Sequence, residues 1–486
     1  MPLTLSNRIP AATATAFAVL ALASCAVGPG APDAVLPPAA SGAFTGATTP
    51  AVTAAAVRGD WWRLYADPVL DGLVLEALAN NNELEAAAAN LRRVRAALGE
   101  ARTGRLPSTT GSAGYSYGRP SAAVTPGATP GQTQDETDSY DAGLDVAYEV
   151  DLFGRVGSSI RAARADADAA AAALEVVRVS VAAETARAYA DACSANARIA
   201  VAERTLALQS ETVDLTRRLL DGGAGNGLDV ARARVVLEQT RASVPPLRAL
   251  REGAVFRLAT LTGRPPAEAS SAARDCARPP ELLQPIPVGD GASLLARRPD
   301  VRRAERDLAA AAARVNVATA DLYPRISLGG SLGTTAGAAG DLGESANFRF
   351  GLGPLISWSF PNVFAARARI AQAGAATDAA LATFDQTVLV ALQEVETALA
   401  DYANELDRRS ALQAARTQAA DAARLSRLRF DAGADSFLTV LDAQRTLAAA
   451  DAALAGSDAQ VTTNQITLFK ALAGGWSGEA GESPAL

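Results

Sequence analysis

Two hydrophobic rhythms alternate along the chain, one of period two and one near 3.6. In the first, Ala142, Leu144, Val146, Tyr148 and Val150 share a face opposite Gly143, Asp145, Ala147, Glu149 and Asp151. Phe348, Phe350, Leu352, Ile356 and Trp358 oppose Arg349, Gly351, Gly353, Ser357 and Ser359, and Ile326, Leu328 and Leu332 alternate with Ser327, Gly329 and Ser331. Strands are therefore predicted at 112–118, 141–151, 325–333 and 348–360. Apolar-out, small-or-polar-in alternation over about ten residues suits a strand that crosses a membrane. For any one strand, a soluble two-layer sheet is the competing reading. The second rhythm predicts helices at 69–102, 156–220, 228–261, 293–321, 364–429 and 436–472. A helix of about 65 residues spans ~100 Å and needs partners along its whole flank, as in a helical barrel or coiled coil. Pro245-Pro246 predicts a kink or break in the 228–261 helix.

The chain is also written twice. Leu215-Thr-Arg217, Asp221, Gly223-Ala224, Leu228, Val230 and Ala233 return as Leu425-Ser-Arg427, Asp431, Gly433-Ala434, Leu438, Val440 and Ala443, at the offset 433 − 223 = 210. Glu184 and Glu394, and Asp191 and Asp401, keep that offset. The implied organisation is a signal peptide at 1–24, a tether at 25–68, a first repeat at 69–263, a connector at 264–292, a second repeat at 293–473 and a loose tail at 474–486. The Pro/Gly/Ser/Thr-rich loops 119–140 and 334–347 fit the extracellular side of a barrel. Four strands cannot close a barrel, and open edges are not tolerated in hydrocarbon. Identical subunits must therefore share one. Two copies give eight strands with little lumen and three give twelve with room for water, and the arithmetic leaves both open.

Composition narrows the chemistry. Hydrophobic residues make up 49% of the 486, much of it alanine, and aromatics only 5%, which favours long, closely packed helices over a thick core. A net charge of −7 with no basic stripe argues against nucleic acid. There is no histidine, and Lys470 is the only lysine, so most acid–base, triad and zinc chemistries lack their usual residue. No nucleotide-binding loop appears, and nothing implies a cofactor. At the N-terminus, Arg8 and the apolar run 11–21 read as an export signal. Leu22-Ala-Ser-Cys25 resembles a lipobox, which makes Cys25 the expected acylated residue and Ala26 compatible with outer-membrane sorting. Cys193 lies in a helical pattern and is expected to be a small buried apolar residue. An oxidising periplasm would allow its pairing with Cys276, but no sequence feature points to it.

Certain motifs resemble those of the outer membrane factor family, the TolC-like channels, and within it the lipid-anchored, NodT-type branch. They are Cys25-Ala-Val-Gly-Pro29, Trp61-Trp62 through Asp67-Pro68 and Leu70, Asp151-Leu-Phe-Gly-Arg155, Arg297-Arg-Pro-Asp-Val301 and Val440-Leu-Asp-Ala-Gln-Arg445. The resemblance runs from Cys25 to Trp476. It implies a mostly helical, duplicated TolC-like fold. Four strands per chain would join a shared 12-stranded trimeric β-barrel above a long periplasmic α-helical barrel with an equatorial belt. It also implies a homotrimer in outer membrane lipid, a periplasmic adaptor (membrane fusion) protein and an inner-membrane RND-type pump. The function would be the exit channel of a tripartite efflux pump for small toxic compounds or drugs, with no enzymatic step. The alternatives are the duct of a type I protein secretion system and, remotely, a structural coiled-coil lipoprotein.

The resemblance also suggests roles for the helix tips. Turns 221–227 and 431–435 contain Gly222, Gly223, Gly225, Gly227, Gly433 and Asp435. The glycines supply tight helix–helix turns, and in the family such tips dock the adaptor. Positions matching Leu438 and Asp442 line the family's periplasmic constriction, so these two, with Asp229, are the expected gate, and Arg232 or Arg445 the expected latches. Asp229 would also complement a helix N-terminus.

Overall fold

A computed structural model describes residues 27–30, 32, 38–119, 133, 135–282, 284–358 and 363–473. Cys25, the tail 474–486 and much of the loop 119–140 lie outside the described residues. In chain order the main elements are β1 (Val52–Thr53), α1 (Pro68–Asn80), α2 (Asn82–Thr103), β2 (Ser108–Gly118), β3 (Thr137–Val150), α3 (Arg155–Asp221) and α4 (Gly227–Leu261). They continue with β4 (Ile286–Pro287), α5 (Gly291–Arg297), α6 (Pro299–Ala320), β5 (Arg325–Ala336), β6 (Phe348–Ser357), α7 (Val363–Asp431) and α8 (Phe437–Ala471). The chain divides into two compact units, one holding 1–34, 92–169 and 304–383, the other 35–91, 170–303 and 384–486.

The first unit is built on an antiparallel sheet of order β2-β3-β5-β6. Its register aligns Leu144 with Leu332, and Leu332 with Phe350, on one face. On the other, Thr110, Asp145, Ser331 and Gly351 form a row. The apolar face is uncovered: Phe350 is 80% exposed and Leu352 89%. Large apolar side chains left in the open this way mark a surface meant for lipid. Within this chain β2 and β6 each pair on one side only, and Pro354, which has no N–H to donate, sits in the edge strand β6. The strands depart from the expected bounds because Gly, Ser and Thr blur the alternation while pairing continues. β2 begins at Ser108, β3 at Thr137 and β5 runs on to Ala336, whereas β6 ends early at Ser357, opposite Arg325 where its partner strand β5 begins.

Where β3 gives way to α3, each residue of Asp151-Leu-Phe-Gly-Arg155 except Leu152 has a visible task. Asp151 accepts from the backbone N–H groups of Val156 (2.9 Å) and Gly157 (2.7 Å), capping the helix. Phe153 stacks on Tyr323 at 4.6 Å. Gly154 has φ = +71°, a conformation that favours glycine, and Arg155 donates to Glu149 at 2.8 Å.

The second unit has the aromatic core. Trp61 stacks on Phe469 at 4.7 Å, and Leu70, Leu258, Leu294, Leu399 and Leu468 are fully buried around them. Burial of each such side chain is worth about 1.5–3 kcal/mol. The Trp62 indole donates to Asp71 at 2.9 Å. Asp67 caps α1 by accepting from Val69 and Leu70, and also receives the Tyr189 hydroxyl at 2.9 Å.

Two expectations are corrected here and a third is narrowed. The single helix predicted at 69–102 is two, because Asn81 leaves helical geometry (ψ 125°) and its side chain caps α2, accepting from Glu83 and Leu84. The helix predicted at 293–321 likewise breaks at Arg298, since Pro299 bars its neighbour from the α region. Of the kink or break expected at Pro245-Pro246, the break does not occur, and α4 continues as one helix through both prolines. The prolines lie on its exposed face, where water can satisfy the freed carbonyls, while Val244 and Leu247 are buried and hold the helix down. In addition, Cys193 is fully buried but not a free thiol, being joined to Cys276 with Cα atoms 5.1 Å apart.

Candidate functional site at the helix tips

The α3–α4 and α7–α8 tips both lie in the second unit and close by the same device. Gly223 (φ +74°) donates to the Leu220 carbonyl at 3.0 Å, and Ala224 to Leu219 at 2.8 Å. At the second tip Gly433 (φ +73°) donates to Phe430 at 2.8 Å, and Ala434 to Arg429 at 2.9 Å. This double bond pattern with a left-handed glycine is the Schellman cap. Gly225 is required for space, since a Cβ there would lie 2.9 Å from the Leu220 backbone nitrogen. A Cβ on Gly227 would meet nothing within 4 Å, and one on Gly222 only the Arg218 carbonyl oxygen at 3.3 Å and Leu219's at 3.8 Å. At Gly225's counterpart, 225 + 210 = 435, the second repeat carries Asp435, which receives Arg429 at 2.7 and 3.3 Å.

The starts of the return helices differ. Asn226 caps α4, accepting from the Asp229 N–H at 2.9 Å, while its own amide donates to the Asp229 carboxylate at 2.7 Å. Ser436 begins α8 with no side-chain cap. Asp229 lies 3.7 Å from Arg232, and Asp442 2.8 Å from Arg445. These are one and the same i,i+3 pair moved along by a helical turn, because 442 − 229 = 213 and 445 − 232 = 213, three more than the repeat. Arg232 and Asp442 consequently occupy equivalent places with opposite charge. That displacement is legible in the sequence once the repeats are aligned.

Arg232, Val235, Val236, Gln239, Leu438, Leu441, Asp442 and Arg445 line one groove of about 250 Å³ between α4 and α8. Four of the five expected gate and latch residues thus meet there. Asp229 is not among them and stays with Asn226. Beneath the tips, Val213, Ala233, Val236, Leu237, Phe437 and Leu441 form a small core, with Phe430 edge-on to Phe437 at 5.6 Å. Leu438 remains 49% exposed and the Asp442 side chain 64%. An ion pair this open contributes only tenths of a kcal/mol, so it can be exchanged for another partner at little cost.

A sheet with one face made for lipid, in a chain whose long helices end in paired glycine turns, defines a membrane channel subunit. The chain belongs to a family described as "Outer membrane efflux protein", which matches residues 73–264 and 292–474, one segment per repeat. It is 32% identical over 444 residues to the toluene efflux pump outer membrane protein TtgC of Pseudomonas putida (90% of this chain, 89% of TtgC). It is 30% identical over 485 residues to nodulation protein T of Rhizobium leguminosarum bv. viciae (97% and 95%). Among solved structures, the outer-membrane channel OprN superposes with a TM-score of 0.86 at 37% identity, covering 93% of this chain and 100% of OprN. The fold is that of the TolC-like channels, and the protein is an outer membrane exit channel with a large periplasmic portion. Its family and relatives are channels, not enzymes.

Proposed function

We propose that this chain assembles as a homotrimer into the exit duct of a tripartite efflux pump, taking small toxic compounds or drugs from an inner-membrane RND-type pump through a periplasmic adaptor. The observation that carries this reading is the open sheet. Its apolar face demands lipid, while β2 and β6 carry backbone groups unpaired within the chain, each costing several kcal/mol in hydrocarbon. Closure by identical copies removes that cost, and three copies give twelve strands around water. The substrate class follows from TtgC, which is named for toluene efflux. Acylation at Cys25 would anchor the chain to the inner leaflet of the outer membrane.

In this reading Leu438 and Asp442, with Asp229 nearby, form the resting gate, and Arg232 and Arg445 are its latches. Three copies of Asp442 about one axis repel one another unless guanidinium partners stay close, and the 2.8 Å pair with Arg445 supplies one. Opening would exchange weak, exposed pairs and so cost little. Gly222, Gly223, Gly225, Gly227, Gly433 and Asp435 form the adaptor-facing tips. Native mass spectrometry of the detergent-solubilised protein should find trimers; a water-soluble monomer would sink the reading. In planar bilayers Asp442→Ala should raise resting conductance by about twofold to fivefold, the scale of three exposed ion pairs lost at a few tenths of a kcal/mol each. An unchanged closed level would remove Asp442 from the gate.

A further inference from the structure

The small-residue face of the sheet carries few charges, and all but one have partners. Asp141 receives the Thr335 hydroxyl at 2.6 Å and lies 3.9 Å from the Arg349 guanidinium. Glu149 is held by Arg155, and Arg325 lies 2.9 Å from Asp321. The Asp145 side chain has no hydrogen-bond or ion-pair partner among the described residues. It stands in the row Thr110–Asp145–Ser331–Gly351, in which it is the sole charge. The next row on one side is Ser108–Ala147–Gly329–Gly353, where a Cβ added to Gly353 would meet nothing within 4 Å. The row on the other side is Ser112–Gly143–Gly333–Arg349, and there Arg349 lies over Gly333 on the way to Asp141. Asp145 therefore rises from a floor of glycine, serine and threonine that neither neutralises nor covers it.

We propose that Asp145 is the residue that makes the pore prefer cations, its copies forming an uncompensated carboxylate ring inside the barrel. This rests on the duct reading above, which sets the small-residue face toward water. An uncompensated ring attracts counter-ions and repels co-ions within about a Debye length, ~30 Å at 0.01 M salt and ~10 Å at 0.1 M. The Asp442 ring at the tips is a weaker candidate, because each carboxylate there already has Arg445 at 2.8 Å.

The test uses the full-length protein in planar bilayers, reading reversal potentials across an about tenfold KCl gradient starting near ~10 mM. Wild-type pores should favour potassium over chloride. Asp145→Asn should lower the permeability ratio at least about twofold, Asp145→Arg should invert it, and Asp442→Asn should change it less than either. The effect should fade as salt rises. Pores of normal conductance in which Asp145→Asn keeps the wild-type ratio, or in which Asp442→Asn alone abolishes it, would overturn the inference and leave the duct intact. Wild-type protein that forms no pores at all would bring down the duct reading and this inference together.

Discussion

In the first repeat a neutral amide ties the short helices to the end of the return helix; in the second, a buried guanidinium does so. Asn81 donates to the Leu261 carbonyl at 3.0 Å, and Arg298 to the Ala471 carbonyl at 2.9 Å. The acceptors stand in the repeat relation, 471 − 261 = 210, and each donor sits at the break between two short helices. Around these equivalent bonds the chemistry has diverged. Arg298, 7% exposed in its side chain, also binds Asp300 and Glu394 at 2.6 and 2.7 Å. Burial pulls its pKa down, but the hydrogen bonds to Asp300 and Glu394 outweigh that and hold it above the ordinary arginine value. Glu184, the counterpart of Glu394, is bound instead by Lys470 at 2.9 Å. The first repeat adds a staple that the second lacks: Cys193 bonds Cys276, whereas position 193 + 210 = 403 is alanine. Beside it, Asn196 donates to the carbonyls of Arg274 and Cys276, both at 2.8 Å. A duplicated backbone kept the bond it needs at the return-helix end, while the means of holding each hairpin base drifted apart.

The disulfide offers the largest break of this comparison. Replacing Cys193 and Cys276 by serine frees a link across 83 residues and should cost about 4 kcal/mol in the chain-entropy picture. Amide exchange should then rise in α3 and α4 more than in α7 and α8; a melt that is the same with and without reductant would refute the staple. Next comes Arg298→Met, which orphans the Ala471 carbonyl and separates Asp300 from Glu394. Loss of about 3 kcal/mol is expected by urea titration, tempered because both carboxylates still reach water. Asn81→Ala, the matching change in the first repeat, removes a cap and a neutral hydrogen bond and should cost about 1–2 kcal/mol. If the two losses were equal, the ionic clamp would add nothing to the neutral tie. Smallest is the contrast at the tips. Asn226→Ala should destabilise the start of α4 by about 1 kcal/mol, while Ser436→Ala, which removes no cap, should stay within a few tenths by local hydrogen exchange.

The membrane strands were legible because lipid on one side and water on the other impose a period of two. They were read short at Ser108–Gly111 and Thr334–Ala336, where small residues carry no hydrophobic signal but the ladder continues. The tips were legible through their glycines, and alignment of the repeats also contained the one-turn shift of the Asp–Arg pair. Of the residues proposed for the gate, Leu438, Asp442, Arg445 and Arg232 share a groove, whereas Asp229 is held by the capping residue Asn226. Nothing local distinguished Asn81 as a helix break, because an asparagine inside a helix and one that caps the next differ only in what surrounds them.

Periodicity, duplication and composition determined from the sequence alone that this is a helical protein with lipid-facing strands, since each is a one-dimensional record of which solvent a side chain meets. The tertiary structure alone decided that Cys193 meets Cys276, that Arg298 reaches the end of α8, that α4 runs through two prolines, and that the Asp145 side chain has no partner among the described residues. Such facts depend on residues far apart in the chain coming within a few ångströms, and no local pattern of hydrophobic and polar positions encodes that distance.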